Sequence, residues 1–298
     1  MCGIVGLFLK DKLLEPKLGG LLTEMLITMT DRGPDSAGIA IYGSKNGLYS
    51  KLTIQSDNAD RDFVTLATDL SCEIGSDVTL QRNDTHAVLS VAPDKIDLAR
   101  DAIPKLRAGV CIMSSGETIE IYKEVGLPQD VSQRFGISAK FGSHGIGHTR
   151  MATESAVTTN GAHPFSTGPD QCLVHNGSLS NHNNLRRKLR REGMRIDSEN
   201  DTEVGAAYLT WRMQEGATLG EALERSLEDL DGFFTFVVGT KDGFGVVRDP
   251  IACKPAVLAE TDQYVAFGSE YRALVQLPGI ETARVWEPEP AIVYFWSH

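Results

Sequence analysis

Cysteine is scarce in this sequence, and its arrangement argues against several kinds of site. The chain of 298 residues has five cysteines, an odd number. They are widely scattered, with no Cys-x-x-Cys pair and no Cys/His spacing typical of zinc or iron–sulfur ligands. We therefore expect no metal and no cofactor in this chain, and reduced thiols in a cytoplasmic protein. The five are Cys2, Cys72, Cys111, Cys172 and Cys253.

Positive charge, phosphate-binding glycine loops and long apolar runs are also lacking. The chain has 29 Lys and Arg against 40 Asp and Glu, a net charge of -11 at pH 7. A nucleic acid or a membrane surface is therefore not expected as the main partner, since both require basic patches. The most basic stretch, residues 186–191, is typical of an exposed helix face, with docking of an acidic partner as the alternative. No Walker or dinucleotide motif, leader or membrane-spanning stretch is predicted.

What is present is the pattern of a globular α+β chain. Hydrophobic residues make up 41% and charged residues 23% of the sequence. Strand-like runs such as residues 4–8 and 264–268 cluster towards both ends, and helical spacing lies between them. This order predicts sheets that pack together and are covered by helices. We predict one domain over residues 1–298, with residues 56–116 inserted as a small α/β lobe that ends in a hairpin turn at Ser115-Gly116.

The start of the chain carries a candidate nucleophile. The sequence opens Met1-Cys2-Gly3-Ile4-Val5-Gly6. If the initiator methionine is removed, Cys2 carries a thiol and a free α-amine, whose ordinary pKa values are about 8.5 and about 7.7–8.0. The amine can then take the thiol proton, directly or through water, so that one residue supplies nucleophile and base. The alternative from these residues alone is a cysteine that simply begins a buried strand.

Four further segments have residue types suited to chemistry, and each also has a structural explanation. Residues 32–35 read Arg-Gly-Pro-Asp, which favours a β-turn. Residues 147–150 read Gly-His-Thr-Arg, in which the arginine would be an ordinary surface charge. The third segment contains His163 and then His175-Asn176-Gly177, where Asn-Gly favours a hairpin turn. Residues 198–203 read Ser-Glu-Asn-Asp-Thr-Glu, which suits a capped helix start.

Taken together and in this order, these segments and Cys2 resemble the glutaminase domain of class II glutamine amidotransferases. These are N-terminal-nucleophile hydrolases that release ammonia from glutamine. The resemblance covers residues 2–55 and 120–275, and Arg248-Asp249-Pro250 and Gly268-Ser269-Glu270 extend it into the second half of the domain. It implies a four-layer αββα sandwich and a reaction through a γ-glutamyl thioester.

The resemblance also implies roles for individual residues. Cys2 would be the nucleophile, and the Asn176 side chain and Gly177 backbone would bind the oxyanion. Arg150 would bind the α-carboxylate of glutamine and Asp201 its α-ammonium. The remaining matches would line the pocket or support the nucleophile: Thr153, His163 and Arg32.

Two positions depart from the pattern of many relatives. Those relatives have tryptophan and histidine where this chain has Met151 and Glu154. Because the tryptophan closes a loop over glutamine in some members, this departure bears on loop closure. The residues expected to carry out the chemical step are all present.

The resemblance has consequences for partners. The chain ends a few dozen residues after Gly268-Ser269-Glu270, so we expect any synthase that uses the ammonia to be a separate polypeptide. Length, lobe and opening motif are most similar to glutaminase subunits of glutamate-synthase-like and N-methylglutamate synthase systems. That similarity implies a flavin and an iron–sulfur cluster in partner subunits. Two alternatives stay open: a stand-alone hydrolase of γ-glutamyl amides, and a catalytically silent subunit that binds glutamine and regulates a partner.

Overall fold

The computed structural model describes residues 2–45, 47–152 and 156–298, and all the structural statements below concern them. The strands are β1 (Gly3–Leu9), β2 (Ser36–Tyr42), β3 (Ser50–Gln55), β4 (Val78–Asn83), β5 (His86–Val91), β6 (Cys111–Gly116), β7 (Ile119–Val125), β8 (His144–Arg150), β9 (Cys172–Leu179), β10 (Gly232–Thr240), β11 (Gly243–Arg248), β12 (Val257–Glu260), β13 (Tyr264–Gly268), β14 (Arg284–Trp286) and β15 (Val293–Ser297). The helices are α1 (Leu18–Ile27), α2 (Ala59–Asp62), α3 (Leu66–Ile74), α4 (Ile96–Leu106), α5 (Pro128–Arg134), α6 (His182–Arg191), α7 (Asp201–Gln214) and α8 (Leu219–Asp229).

The large sheet has seven strands in the order β14-β12-β13-β1-β8-β2-β7. β1 lies at its centre and pairs antiparallel with β13 on one side and with β8 on the other. Every residue of β1 is buried, which explains its unbroken apolar sequence. Residues 3–9 are therefore fixed in the central strand of this sheet.

The small sheet has the order β15-β11-β10-β9, and α6, α7 and α8 cover its outer face. β9 pairs with β10 from Cys172 opposite Gly239 to Leu179 opposite Gly232. α7 begins with Asn200 as its N-cap, and the Asn200 side chain accepts a hydrogen bond from Thr202 N. Most of α7 is buried, because it packs between the sheet and its neighbouring helices.

Three apolar clusters separate four layers of structure. Val5 and Leu7 of β1 face α1, whereas Ile4 and Phe8 on the opposite face of the same strand contact the small sheet. A third cluster joins the outer face of the small sheet to α6, α7 and α8. The layers are thus helix, large sheet, small sheet and helix. This arrangement confirms the predicted α+β class and the αββα sandwich.

The lobe has a sheet and an apolar core of its own. Its strands have the order β4-β5-β3-β6, and along the chain they alternate with α3 and α4 in a βαββαβ pattern. Leu52 and Leu89 from the sheet pack against Leu70 and Ile103 from the helices. The strand of this sheet that comes first along the chain is β3, which lies before residue 56 and so outside the predicted lobe. It belongs to the lobe sheet because it pairs with β5 and β6.

The pair Ser115-Gly116 does not form the predicted hairpin turn. It lies in β6, which pairs with β3 of the lobe, whereas the next strand, β7, pairs with β2 of the large sheet. The prediction was wrong because the chain passes from one sheet to another at this point. Within the described ranges, no helix is both long enough and apolar enough to cross a bilayer.

Candidate active site

The residues that follow Cys2 are anchored on both sides of β1. Gly3 N donates a hydrogen bond to Thr149 Oγ1 over 3.2 Å, and Thr149 Oγ1 in turn donates to Met29 O over 3.1 Å. Ile4 N donates to Ser269 Oγ over 2.9 Å. The two hydroxyls come from the strands or loops on either side of β1. They continue the sheet pairing to the start of the chain, so that residue 2 has little freedom to fray.

The backbone carbonyl of Cys2 is held by two residues that are distant in sequence. Arg32 Nε donates to Cys2 O over 2.9 Å, and Asn176 Nδ2 donates to the same oxygen over 3.2 Å. Arg32 lies just before β2 and Asn176 lies in β9, so the nucleophile candidate is tied to both sheets. Cys2 itself is half-buried. The structure thus brings three of the predicted site residues into direct contact.

Arg32 also forms an ion pair that the sequence analysis did not assign. Its Nη1 lies 2.5 Å from Glu270 Oε1, and Arg272 Nε lies 2.7 Å from Glu270 Oε2. The hydrogen bond from Arg32 is the main reason that the pKa of Glu270 lies below its ordinary value. The Gly268-Ser269-Glu270 motif was noted in the sequence, but only the fold shows that Ser269 and Glu270 reach the start of the chain.

Gly177 lies inside β9, directly after Asn176, and not in a hairpin turn. Its φ is +150°, a conformation that side-chain-bearing residues rarely adopt. A Cβ at this position would lie 1.9 Å from Phe233 O and 2.8 Å from His175 Nε2. Only glycine fits here, so the Asn-Gly pair is explained by close packing in a strand.

Arg150 ends β8 and is buried, at 6% exposure, so it is not an ordinary surface charge. Gly3 pairs with Thr149, and continuing this register by one residue places Arg150 across from Cys2. Arg150 Nη1 donates to Ala156 O over 3.3 Å. Its backbone carbonyl accepts from Asp35 N over 3.1 Å, which joins the Arg-Gly-Pro-Asp turn to the end of β8. The predicted turn and the predicted arginine are therefore neighbours.

Asp201 is the first residue of α7, at the positive end of the helix dipole. Its Oδ2 accepts a hydrogen bond from Leu179 N over 2.9 Å, and its Oδ1 lies 3.8 Å from His175 Nδ1. The neighbouring Glu203 accepts bonds from the backbone of residues 197 and 198, which closes the loop before the helix. The acidic motif is thus partly structural, while Asp201 keeps lone pairs beyond the one that Leu179 uses.

His163 belongs to a group of buried histidines behind Asp201. Thr202 Oγ1 lies 3.2 Å from His163 Nε2 and 3.1 Å from His175 Nδ1, and the His163 ring stacks on His148 with 3.9 Å between centroids. Burial lowers the pKa of His148 to about 3 and that of His163 well below its ordinary value. At neutral pH these rings are therefore uncharged. They form a rigid polar cluster, and no local feature of the sequence indicated this role for His148 or Thr202.

The predicted residues form two connected groups. Cys2, Arg32 and Asn176 are joined by direct bonds, and His163 and Asp201 are joined through Thr202 and His175. His148 connects the groups, because it pairs with Ile4 in the large sheet and its Nε2 lies 3.1 Å from His175 O. Thr153 and Glu154 lie outside the described residues, and Met151 is 39% exposed. Among the described residues, no group of three or more His, Cys, Asp or Glu is placed to hold a metal.

Comparison with known proteins places this site in a family. The glutamine amidotransferase domain family matches residues 148–276. The chain is 67% identical over 298 residues to the glutamine amidotransferase-like protein GlxB of Rhizobium meliloti (strain 1021), covering 100% of this chain and 99% of that relative. It is 34% identical over 131 residues to the glutamine–fructose-6-phosphate aminotransferase (isomerizing) of Vibrio vulnificus (strain YJ016), covering 44% of this chain and 21% of that relative.

A solved structure agrees with the fold. Glutamine phosphoribosylpyrophosphate amidotransferase from B. subtilis, complexed with ADP and GMP, superimposes with a TM-score of 0.64 at 19% identity. The match covers 99% of this chain but only 47% of the solved chain, so this chain spans about half of that structure. The 67% identity to GlxB over the whole chain shows that this chain belongs to the class II glutamine amidotransferases, a family of glutamine-hydrolysing enzymes, and the superposition shows that it has the N-terminal-nucleophile hydrolase fold.

Proposed function

We propose that the chain is a glutaminase subunit that hydrolyses L-glutamine through a Cys2 thioester and supplies ammonia to a separate synthase chain. The observation that carries the catalytic part is the convergence of Arg32 and Asn176 on the carbonyl of Cys2. These bonds fix the residue that bears the thiol while leaving its side chain outside the sheet pairing. A nucleophile needs this kind of fixed placement to reach a bound amide repeatedly.

The reaction is proposed to proceed in two halves. The free α-amine of Cys2 takes the thiol proton, and the thiolate attacks the side-chain carbonyl carbon of glutamine. The amine then returns the proton to the amide nitrogen, the carbon–nitrogen bond breaks and ammonia leaves a γ-glutamyl thioester. Water attacks the thioester, its proton passes to the amine, and glutamate leaves with the thiol restored.

Asn176 and Gly177 are proposed to stabilise the oxyanion of each tetrahedral intermediate. The Asn176 amide nitrogen has two N–H groups, and the bond to Cys2 O uses one of them. Gly177 is required by close packing against Phe233 O, and its backbone N–H is proposed as the second donor to the oxyanion. One oxyanion donor is typically worth about 3–4 kcal/mol of barrier.

Arg150 and Asp201 are proposed to hold the two charged groups of glutamine. Arg150 is a planar double donor near the start of β1, which suits the α-carboxylate. Asp201 is proposed to bind the α-ammonium, with its orientation fixed by the hydrogen bond from Leu179 N. His163 is proposed to line the pocket as a neutral ring, and Thr153 remains a prediction from the family pattern.

The proposal of a separate synthase rests on how the relatives align. GlxB aligns with this chain over almost its whole length. The glutamine–fructose-6-phosphate aminotransferase, whose name includes an acceptor, aligns over only 21% of its length. The acceptor chemistry in the longer relative therefore lies largely outside the matching part. A synthase partner of the glutamate synthase or N-methylglutamate synthase kind, with its own flavin and iron–sulfur cluster, is our proposal for this chain.

The nucleophile is tested by labelling with a glutamine-like electrophile. We expect one adduct on the processed chain, blocked by glutamine and mapped to Cys2 by mass spectrometry. Cys2→Ala should lose both the adduct and ammonia release, whereas Cys72→Ala, at an exposed and distant cysteine, should keep both. Ammonia release by folded Cys2→Ala would reject the mechanism.

The substrate contact is tested with Arg150→Lys, which keeps the charge but loses the bidentate fork. We expect the KM for glutamine to rise about tenfold or more, the loss of one charge-assisted hydrogen bond, with a smaller change in kcat. Arg187→Lys, on the exposed part of α6, is the control and should leave KM unchanged. An unchanged KM in Arg150→Lys would remove its binding role.

The partner is tested by the rate of the isolated processed chain. If a synthase is needed to order the site, glutamine turnover should be slow alone and should rise when the partner chain is added. A turnover of about 10 s⁻¹, the middle of the usual enzyme range, in the isolated chain would favour the stand-alone hydrolase instead.

A further inference from the structure

A cavity of about 390 Å³ lies where the lobe meets the main domain. The lobe contributes α4 and β6, and the main domain contributes β7, the loop of residues 165–168, and the start of α7 with the loop before it. This volume falls within the range of small-molecule sites, about 300–1,000 Å³. The cavity is separate from the Cys2 site, and its lining includes none of the residues predicted for glutamine.

Lys123 projects from β7 into this region and is almost completely buried, at 3% exposure. Its Nζ donates to the backbone carbonyls of Asn160, Ala162 and Pro164 over 3.3, 2.7 and 3.2 Å. It also lies 4.3 Å from the centroid of the Phe165 ring. Burial lowers the pKa of Lys123 to about 8, although the negative charge of Glu203 acts in the opposite direction.

The segment that Lys123 holds has two faces, and we call residues 160–165 the wall. On one face, His163 contacts Thr202 and His148 in the glutamine site. On the other face, Asn160 and Phe165 line the cavity. The wall already packs closely against β2, since a Cβ on Gly38 of β2 would lie 2.0 Å from His163 O. It therefore has little space to move closer to β2. A change at Lys123 therefore acts on the segment that carries His163.

Three cations and two carboxylates line the cavity, namely Arg100, Lys123 and Arg195 with Asp197 and Glu203, so positive charge exceeds negative charge by one in a chain whose net charge is -11. Among the described residues, each arginine forms an ion pair with an exposed aspartate, over 3.5 and 3.6 Å. Such exposed pairs are weak and exchange readily for a better ligand.

Two further groups in the lining bear on the ligand. The carboxylate of Glu203 accepts hydrogen bonds from Asp197 N and Ser198 N, so its oxygens are largely occupied by the backbone of its own loop. The hydroxyl of Ser114 is buried and has no hydrogen-bond partner among the described residues. A buried hydroxyl without a partner costs free energy that a ligand oxygen would recover.

We propose that this cavity binds a small metabolite bearing one or two carboxylates, and that its occupancy controls the position of the wall. A carboxylate between Arg100 and Lys123 competes with the wall carbonyls for the ammonium, first with those of Asn160 and Pro164, whose bonds are the longest. The wall and His163 then shift relative to Thr202. The effect on glutamine binding rests on the proposed function, whereas binding in the cavity does not.

Calorimetry with succinate tests the site, with 1,4-butanediol as the neutral probe of equal length. Succinate should bind and butanediol should not. Arg100→Gln should weaken succinate binding about tenfold, the loss expected for one charge-assisted hydrogen bond. Arg82→Gln is the matched control, because this arginine is on the same lobe and pairs with an exposed aspartate but lies outside the cavity. Equal affinities in the two variants, or no binding to the wild type, would overturn the proposal.

Two measurements separate this site from the glutamine site. In the Cys2→Ser chain, saturating glutamine should leave succinate binding in place, and displacement of succinate by glutamine would place it at the glutamine site and overturn the proposal. Hydrogen–deuterium exchange over residues 160–165 should change on adding succinate to the wild type but much less in Arg100→Gln. An unchanged exchange rate would overturn the control of the wall. If the chain takes no electrophile at Cys2 yet these results hold, the proposed function fails and the carboxylate site stands.

Discussion

Replacing Arg32 by lysine separates two contacts that one guanidinium makes. Arg32 Nε bonds Cys2 O over 2.9 Å, while its Nη1 bonds Glu270 over 2.5 Å. A lysine keeps a positive charge near Glu270 but has one nitrogen, so it cannot reproduce both bonds. The side chain is 8% exposed, so water does not readily replace the lost donor.

The expected size of the effect follows from the bond to Cys2. A hydrogen bond from a charged donor contributes about 1.5–3 kcal/mol. If that free energy serves to position the nucleophile in the transition state, kcat/KM for glutamine falls about 10- to 150-fold. The fold should suffer less, since Glu270 keeps its bond to Arg272.

The assay measures ammonia release, the rate of Cys2 alkylation and thermal unfolding for Arg32→Lys and Arg272→Lys. Arg272 contacts the same carboxylate over 2.7 Å but is exposed and is the matched control. We expect slow alkylation and low activity only in Arg32→Lys. Wild-type alkylation in that variant, or an equal loss in both, would refute the positioning role of the Cys2 carbonyl bond.

Three further predictions concern stability. Gly177→Ala should cost more than about 3 kcal/mol because its Cβ would overlap Phe233 O, whereas Gly193→Ala, at φ +85° in open space, should cost about 1–2 kcal/mol; similar unfolding curves would contradict this. Thr202→Val should cost about 1–3 kcal/mol by removing the hydroxyl between two buried rings, and Thr202→Ser should restore most of it in urea titrations. His86, His144 and His148 have folded-state pKa values of about 3, so only the unfolded chain takes up protons at these residues as the pH falls below 6.5. The free energy of unfolding should therefore be roughly 4 kcal/mol lower at pH 5.5 than at pH 7.5. A free energy of unfolding that does not change with pH would exclude this linkage.

The elements that the sequence predicted well are those with an unbroken apolar run. Residues 4–8 and 264–268 fall in β1 and β13, because such runs have a single stable arrangement within the core. α5, β12 and β14 are short, and β14 is largely exposed, so local spacing gives no apolar period by which to recognise them. The turn predicted at Ser115-Gly116 was wrong for another reason, since tertiary packing placed this pair inside a strand. Asn176-Gly177, for which a turn was the structural alternative, also lies inside a strand.

The candidate site divides in the same way. Cys2, Asn176 and Arg150 were identified by their residue types within ordered motifs, and the structure places them around the start of β1. Glu270 as the partner of Arg32, and Lys123 as the support of the wall, depend on contacts between residues far apart in the chain. A single sequence has no local signal for such pairs, because neither residue type nor spacing specifies a tertiary partner.

The central position of β1 also sets the order of events during synthesis. Its neighbours are β8 at His144–Arg150 and β13 at Tyr264–Gly268, so the first strand made cannot be enclosed until nearly the last strand exists. At ordinary elongation rates this interval is on the order of tens of seconds. Throughout it the strand that follows Cys2 lies outside the completed sheet. The proposed mechanism requires a free α-amine on Cys2, and this topology leaves the residue accessible for that processing before β13 encloses its strand.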